Sequence, residues 1–204
     1  MIKKMIRVVF FDLCDVLITD PMDVWYASVK QSHGLERMDA YHKVKDLFDA
    51  FEEGRLDEQT YWGLVADRLN TPKEKSAEWQ SLSYSDLRLL KDVLPILEHL
   101  KEKKVRFGII SNTSKEWGAH FLSKVLPPVG FEPVVLSCSV GKKKPHLDIF
   151  HEAKRLSGVA NPGELLFLDD RQKHVDAATS AGWDAQVVTN PDEIRSALQI
   201  RGLW

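Results

Sequence analysis

The chain has 204 residues, and its 28 lysines and arginines against 30 aspartates and glutamates give a formal net charge of −2. This balance argues against a nucleic-acid partner, because proteins that bind the phosphate backbone carry a clustered basic excess. No apolar run approaches the roughly 18 residues that a membrane span needs, so we expect no membrane partner either.

Short apolar segments predict the strands of a parallel sheet. The first, residues 6–11, is β-branched and aromatic and has no polar face, as is typical of a strand covered on both sides. Further segments of this kind lie at residues 105–110, 133–136, 165–168 and 185–188.

Helical spacing of apolar residues separates these strands. It predicts helices around residues 93–100, 117–122, 149–156 and 175–181, and a capped helix beginning at Asn190-Pro191. Because strands and helices alternate, the predicted fold class is α/β, with a Rossmann-like open parallel sheet.

Residues 20–92 interrupt this alternation with helical patterns alone. Apolar faces at helical spacing occur at residues 44–51 and 61–69, and Thr71-Pro72-Lys73-Glu74 predicts a capping box for a third helix. We therefore predict a core domain of residues 1–19 and 93–204 and an inserted helical cap of residues 20–92. The cap aromatics are expected in its core: Trp25, Tyr26, Trp62 and Trp79.

The two cysteines, Cys14 and Cys138, are too few for a disulfide scaffold and too distant for a CxxC metal site. The basic residues 1–4 precede only a short apolar run, without a signal-peptide cleavage site. We therefore expect a reducing, cytoplasmic compartment. We also expect the protein to be a monomer or a homodimer.

Polar residues follow the predicted strands where each strand ends. The first strand ends at Asp12, the second at Ser111 and the fourth at Asp169 and Asp170, while a loop carrying Lys144 follows the third. The carboxyl ends of parallel strands share one sheet edge, which is where open α/β proteins bind ligands. Carboxylates suit Mg²⁺, and a hydroxyl and a lysine suit phosphate, so the pattern predicts a metal and phosphate site.

These segments resemble the four motifs of the haloacid dehalogenase (HAD) superfamily. Residues 11–17 resemble its first motif, Ile110-Ser111-Asn112 its second, residues 137–145 its third, and Leu168-Asp169-Asp170 with the following His174 its fourth. The insertion resembles a type-one cap. Within the superfamily, the chain is similar to bacterial glucose-1-phosphatases and to the N-terminal phosphatase domain of soluble epoxide hydrolases.

The resemblance implies a Mg²⁺-dependent hydrolase of a small phosphorylated metabolite. It implies that Asp12 is the nucleophile and forms an aspartyl-phosphate, and that Ser111, Asn112 and Lys144 bind the phosphate, with Ser111 and Lys144 assisting catalysis. It also implies a metal bound by Asp12, the backbone carbonyl of Cys14 and the acidic pair Asp169 and Asp170, one of which is a direct ligand. From the residues alone, we expect Lys142 and Lys143 to be solvated and His174 to anchor a loop or to begin a helix.

One position departs from the family pattern. Family phosphatases carry a second aspartate, which acts as acid and base, where this chain has Cys14, and the usual glycine that follows is Asp15. A thiol, with a pKa of about 8.5, is a poor substitute for a carboxylic acid. General acid–base catalysis typically raises the rate by about 10²- to 10⁴-fold.

This departure leaves several hypotheses open. The chain is a phosphatase without the second acid, or one in which Asp15 substitutes for it, or a degenerate metal- and phosphate-binding or protein-interaction member of the family. Dehalogenation of 2-haloacids is disfavoured, because dehalogenases need no metal and lack the Asp169-Asp170 pair.

Overall fold

The structure, a computed structural model, describes residues 5–204. The signal-peptide argument rests partly on residues 1–4, which lie outside the described residues. Five parallel strands form one sheet in the order β3-β2-β1-β4-β5. This confirms the predicted open parallel sheet, with strand ends within two residues of those expected. The strands are β1 (Val8–Phe11), β2 (Arg106–Ser111), β3 (Val134–Leu136), β4 (Leu165–Asp169) and β5 (Asp184–Val187).

Helices cover both faces of the sheet, which explains why β1 has no polar face. Its four residues are fully buried, and Val9 and Phe11 face one side while Val8 and Phe10 face the other. The first side packs on α5 (Val93–Glu102) and α10 (Pro191–Ile200), and the second on α8 (Leu147–Ser157) and α9 (Gln172–Ser180). The short helices α6 (Lys115–His120), extended by a π-helical turn at Phe121–Val125, and α7 (Ser137–Val140) follow β2 and β3.

Four further helices form the insertion between β1 and α5. They are α1 (Asp23–His33), α2 (Arg37–Glu52), α3 (Glu58–Arg68) and α4 (Glu74–Ser85), and we call them the helical cap. Trp25 lies at their centre, with its ring centroid 5.9 Å from those of Trp62 and Trp79. The three tryptophans are buried as expected, and their apolar cluster continues into the α5 side of the sheet. The residue at which the cap begins and ends stays a prediction.

The two capping predictions had different outcomes. Asn190 accepts a hydrogen bond from the Glu193 N–H at 3.0 Å, with Pro191 in the first turn, as predicted. The capping box at Thr71 is wrong, because α4 begins at Glu74 without a side-chain cap. The Thr71 hydroxyl lies 2.8 Å from His33 Nε2 instead, so a tertiary contact between α1 and the α3–α4 loop uses the group that would have capped the helix.

None of the helices within residues 5–204 combines the length and the apolar character that crossing a bilayer requires.

Candidate active site

The carboxyl-terminal edge of the sheet faces the helical cap across a cavity of about 400 Å³. Asp12 follows β1, Ser111 ends β2, and Asp170 follows β4, and all three line this cavity together with Lys144. The chain proceeds from β1 to one side of the sheet and then to the other, so the cavity lies where the strand order reverses. The structure thus brings together the polar residues that the sequence placed at the strand ends.

Lys144 links the residues that follow β1 and β4. Its ammonium lies 2.8 Å from Asp12 Oδ1 and donates to Asp169 Oδ2 at 2.7 Å and to the Ile110 carbonyl at 2.9 Å. The side chain is fully buried, and burying its charge alone would cost much free energy. The two carboxylates offset that cost by pairing with the ammonium. Burial lowers the pKa of Lys144, but Asp12 and Asp169 outweigh it and the net shift is upward, which keeps the ammonium charged.

Asp12 lies in a position that disfavours its charged form. Burial raises the pKa of this carboxyl, Lys144 opposes that rise, and the charges of Asp169 and Asp170 add to it. A positive charge next to Asp12 therefore stabilises the ionised form that a nucleophile requires.

Asp169 is saturated with hydrogen bonds. Its Oδ1 accepts from the Arg171 N–H at 2.9 Å and lies 2.9 Å from His174 Nδ1, while its Oδ2 accepts from Lys144. Burial alone would raise the pKa of Asp169, but Lys144 and His174 lower it. Burial lowers the pKa of His174 to about 4, so the imidazole is neutral and its Nδ1–H donates to the carboxylate. His174 lies in the first turn of α9, as expected, and also lines the cavity.

Asp170 differs from its neighbour because it faces the cavity. Its nearest cationic partner is Arg171, with 3.6 Å between Arg171 Nε and Asp170 Oδ2. Burial and the charge of Asp169 raise the pKa of Asp170. Its oxygens, unlike those of Asp169, are therefore available to a ligand in the cavity.

Three polar residues stand at the end of β2 and directly after it; two have a buried hydroxyl, and the third fixes the loop that carries Lys144. Ser111 is 1% exposed, and its hydroxyl has no hydrogen-bond partner in residues 5–204. Asn112 donates to the Lys144 carbonyl at 3.0 Å and accepts from the Lys144 N–H at 2.7 Å, so it fixes the loop that carries the lysine. Its predicted contact with phosphate stays a prediction. Thr113, which the sequence analysis did not single out, has a second buried hydroxyl without a partner among the described residues.

Cys14 lines the cavity as a half-buried thiol. Burial, followed by the negative charges of Asp20 and Asp12, raises its pKa. Asp15 adopts a φ of 62°, in the left-handed region that favours glycine, which is the residue the family usually has there.

The cap side of the cavity is both aromatic and charged. Tyr26 is buried in the cap core as expected and also lines this wall, whereas sequence reasoning assigned no role to the other wall residues of α1 and α2, because they belong to no motif. Its aromatic side chains are Tyr26, Tyr41 and Phe48, and its cations are Arg37 and Lys45. From the core side, Trp117, Arg171 and Lys173 complete the wall.

The expectation that Lys143 is solvated is wrong, whereas Lys142 is exposed as expected. Lys143 is a half-buried part of the cavity wall and forms ion pairs with Glu52 and, at 2.6 Å, with Asp49. These two acids lie three residues apart on α2, next to its apolar face at residues 44–51, and that spacing was the available signal.

Comparison with curated proteins finds relatives that match the chain in part. Two curated proteins named glyceraldehyde 3-phosphate phosphatase match it in part. The protein from Methanothermobacter thermautotrophicus is 30% identical over 120 residues, which is 55% of this chain and 50% of that protein. The protein from Pyrococcus abyssi is 28% identical over 182 residues, which is 82% of this chain and 74% of that protein. The matched region thus spans only half of the first relative.

Solved structures show the same fold. A HAD family enzyme from Bacteroides thetaiotaomicron, solved as a magnesium complex, superposes with a TM-score of 0.72 at 20% identity, over 90% of this chain and 93% of that one. The sequence also matches the family of haloacid dehalogenase-like hydrolases over residues 6–182, which include all four motifs. The chain therefore belongs to the haloacid dehalogenase-like hydrolases.

Proposed function

We propose that the chain is a Mg²⁺-dependent phosphomonoester hydrolase of a small phosphorylated metabolite. The observation that carries this proposal is the placement of Asp12 beside the Lys144 ammonium, at 2.8 Å, in a cavity that Ser111 also lines; the Ser111 hydroxyl has no partner in the part of the chain that the structure describes. An anionic nucleophile, a buried cation and a free hydrogen-bond donor are the groups that a phosphoryl dianion needs. The names of the two phosphatase relatives support the same activity.

The reaction proceeds in two displacements at phosphorus. An oxygen of Asp12 attacks the phosphoryl group, the ester P–O bond breaks, and the leaving alkoxide takes a proton from water. Water then attacks the aspartyl-phosphate, which releases inorganic phosphate and restores Asp12. Lys144 and Ser111 hold the phosphoryl oxygens throughout, and Asn112 and Asp169 fix the position of Lys144.

The carboxylates of the cavity fit a divalent cation. Asp12 and Asp170 both line the cavity, whereas the oxygens of Asp169 are occupied by Lys144, His174 and the Arg171 N–H. We therefore assign the direct side-chain ligands to Asp12 and Asp170, with the Cys14 carbonyl beside them and Asp169 behind them. When bound there, Mg²⁺ would neutralise charge on the phosphate and on Asp12.

Phosphate release from an aryl phosphate tests the proposal. We expect the purified protein to hydrolyse 4-nitrophenyl phosphate in the presence of Mg²⁺, and we expect Asp12→Asn to reduce the rate to background because it removes the nucleophile. Removing the metal with a chelator should also abolish release, and added Mg²⁺ should restore it. Release that Asp12→Asn leaves intact would contradict the assignment.

The presence of Cys14 gives one alternative a specific basis, which is a degenerate member of the family that binds metal and phosphate without turnover. Mg²⁺ with beryllium fluoride mimics an aspartyl-phosphate and distinguishes the two cases. Binding of this mimic by a protein that hydrolyses none of a broad panel of phosphate esters would favour the degenerate alternative.

A further inference from the structure

The cations that line the cavity divide into two groups, those with a nearby carboxylate partner and those without one. Lys144 is matched by Asp12 and Asp169, and Lys143 by Asp49 and Glu52. Arg37 and Lys45, on the cap, are likewise within ion-pair distance of carboxylates. These four cations are therefore neutralised by the protein itself.

Arg171 and Lys173, at the start of α9, belong to the second group. Among residues 5–204, Asp170 is the one carboxylate within ion-pair distance of Arg171, at 3.6 Å, and we have assigned Asp170 to the metal. Lys173 forms no ion pair with any residue from 5 to 204. Burial lowers the pKa of Lys173, the positive charges of Arg171, Lys143 and Lys45 lower it further, and Glu52 opposes the shift.

Burial lowers the pKa of Arg171, but nearby carboxylates, chiefly Asp170 and Asp12, outweigh it and raise that pKa. Lys173, in contrast, has no carboxylate within ion-pair distance among the described residues, so an anion bound beside Lys173 would be favourable. On the cavity floor the phosphoryl group would meet Lys144, Ser111 and the proposed metal, so Lys173 and Arg171 are available to another part of the substrate. We propose that the organic part of the substrate carries a second anionic group, a carboxylate or a second phosphate, bound by Lys173 and Arg171. This proposal rests on the proposed phosphatase function.

A matched pair of substrates tests it. Glyceraldehyde 3-phosphate and 3-phosphoglycerate share their carbon skeleton and their leaving oxygen, and they differ in an aldehyde against a carboxylate. We expect the wild-type protein to have the higher kcat/KM for 3-phosphoglycerate. Lys173→Gln should lower the ratio of the two kcat/KM values about fivefold, the effect of one partly exposed charge pair, and Lys173→Gln with Arg171→Gln should lower it further.

Lys142→Gln is the matched control, because Lys142 is an exposed lysine outside the cavity wall, and it should leave the ratio unchanged. Raising the ionic strength should also lower the wild-type ratio, since salt screens the added pair. If Lys173→Gln and the double variant keep the wild-type ratio while phosphate release stays above the Asp12→Asn background, this proposal is overturned and the phosphatase function stands. If the wild-type protein releases phosphate from neither ester nor from 4-nitrophenyl phosphate, both proposals are overturned.

A different observation supports a second inference, on Thr113. Its backbone is held in place, because its N–H donates to Ser137 Oγ at 2.9 Å. Ser137 also donates to the Glu52 carbonyl of the cap at 2.5 Å. The Thr113 side chain lines the cavity beside Trp117, 1% exposed, and its hydroxyl has no partner among the described residues.

A buried hydroxyl without a hydrogen bond costs free energy, and a ligand in the cavity can remove that cost. We infer that Thr113 is a substrate-binding residue whose hydroxyl donates to an oxygen of the bound phosphate ester. Like the first inference, this one rests on the proposed phosphatase function.

Thr113→Val and Thr113→Ser together test this role. Valine keeps the shape but lacks the hydroxyl, so we expect kcat/KM for 3-phosphoglycerate to fall about fivefold, the value of one hydrogen bond, while serine restores most of it. Because the hydroxyl is unpaired in the free protein, Thr113→Val should leave the urea midpoint unchanged or raise it, which a purely structural role would not do. Equal kcat/KM values for Thr113→Val and wild type, or a lowered urea midpoint, would overturn the inference.

Discussion

At the scale of single residues, the proposed phosphatase has a candidate nucleophile but no carboxylic acid at the position of the second aspartate. In the proposed reaction Asp12 attacks phosphorus and Lys144 and Ser111 bind the phosphoryl group, whereas Cys14 presents a thiol to the same cavity. Burial raises the pKa of that thiol, so at neutral pH it carries a proton that it does not readily give up, and it cannot act as a base. The rate should therefore depend on how easily the leaving group departs without a proton.

Replacing Cys14 by aspartate tests this dependence. We expect Cys14→Asp to raise kcat/KM for alkyl phosphates by at least about tenfold, because their leaving alkoxides need a proton, and to change aryl phosphate hydrolysis much less. Steady-state kinetics on one alkyl and one aryl ester measures the difference.

Cys14→Asn is the matched control, since it introduces a polar side chain of similar size that cannot donate an acidic proton. An equal gain in Cys14→Asn, or no gain on the alkyl ester in Cys14→Asp, would mean that the missing acid does not limit the reaction.

At the scale of secondary-structure elements, polar contacts fix the cap helices to the core. Lys143, in the loop before α8, pairs with two acids of α2, and Ser137 of α7 donates to the Glu52 carbonyl at the end of α2. Glu58 of α3 accepts from Trp117 Nε1 of α6 at 2.8 Å, from Tyr84 of α4 at 2.7 Å and from Gln80 at 2.8 Å. The cavity wall thus depends on contacts between distant parts of the chain.

Glu58 makes the largest number of these hydrogen bonds, because its buried carboxylate accepts from three donors at once. We expect Glu58→Ala to lower the free energy of unfolding by about 3 kcal/mol, since the Trp117 and Tyr84 donors lose their acceptor. Urea denaturation followed by tryptophan fluorescence measures the change.

Gln59→Ala, at the exposed neighbouring position of α3, is the control and should change the free energy of unfolding by less than about 0.5 kcal/mol. Equal stability of Glu58→Ala and Gln59→Ala would show that the three hydrogen bonds contribute nothing net.

These contacts also show where the sequence was informative. Strands and helices followed from local periodicity, and the residues at strand ends followed from the rule that parallel strands finish at one edge. The roles of Thr71 and Lys143 did not follow, because each is determined by a partner far away in sequence, His33 in one case and the acids of α2 in the other. Of the site, the floor was predictable and the cap wall was not, because the wall is built from residues whose side chains meet only after folding.

At the scale of the whole molecule, the buried charges after β1 and β4 couple folding to pH. Lys144 and Asp169 form an ion pair that needs both charges, and His174 must stay neutral beside them. Protons therefore affect folding and the candidate site through the same residues.

His174 gives this coupling a defined pH range. Burial lowers its pKa from 6.5 to about 4, so between these values the unfolded chain binds a proton that the folded protein excludes. Its contribution to stability is complete above pH 6.5 and is lost as the pH falls towards 4. In a buffer without divalent cations, this residue should reduce the free energy of unfolding by about 3 kcal/mol over that range.

The measurement is urea denaturation at pH values from 7 to 4, on the wild type and on His174→Asn, which has an amide that does not titrate. Asparagine is a smaller polar residue whose amide can donate to Asp169 as the imidazole does, so we expect the variant to fold. The carboxyl groups near the site titrate in both proteins, and the difference between the two curves isolates the imidazole. The free energy of unfolding of the wild type minus that of His174→Asn should fall steadily as the pH falls from 6.5 to 4, because only the wild type loses stability through protonation of the histidine. Parallel curves across the range would mean that His174 is protonated in the folded protein, and its Nδ1–H would then belong to an imidazolium paired with Asp169.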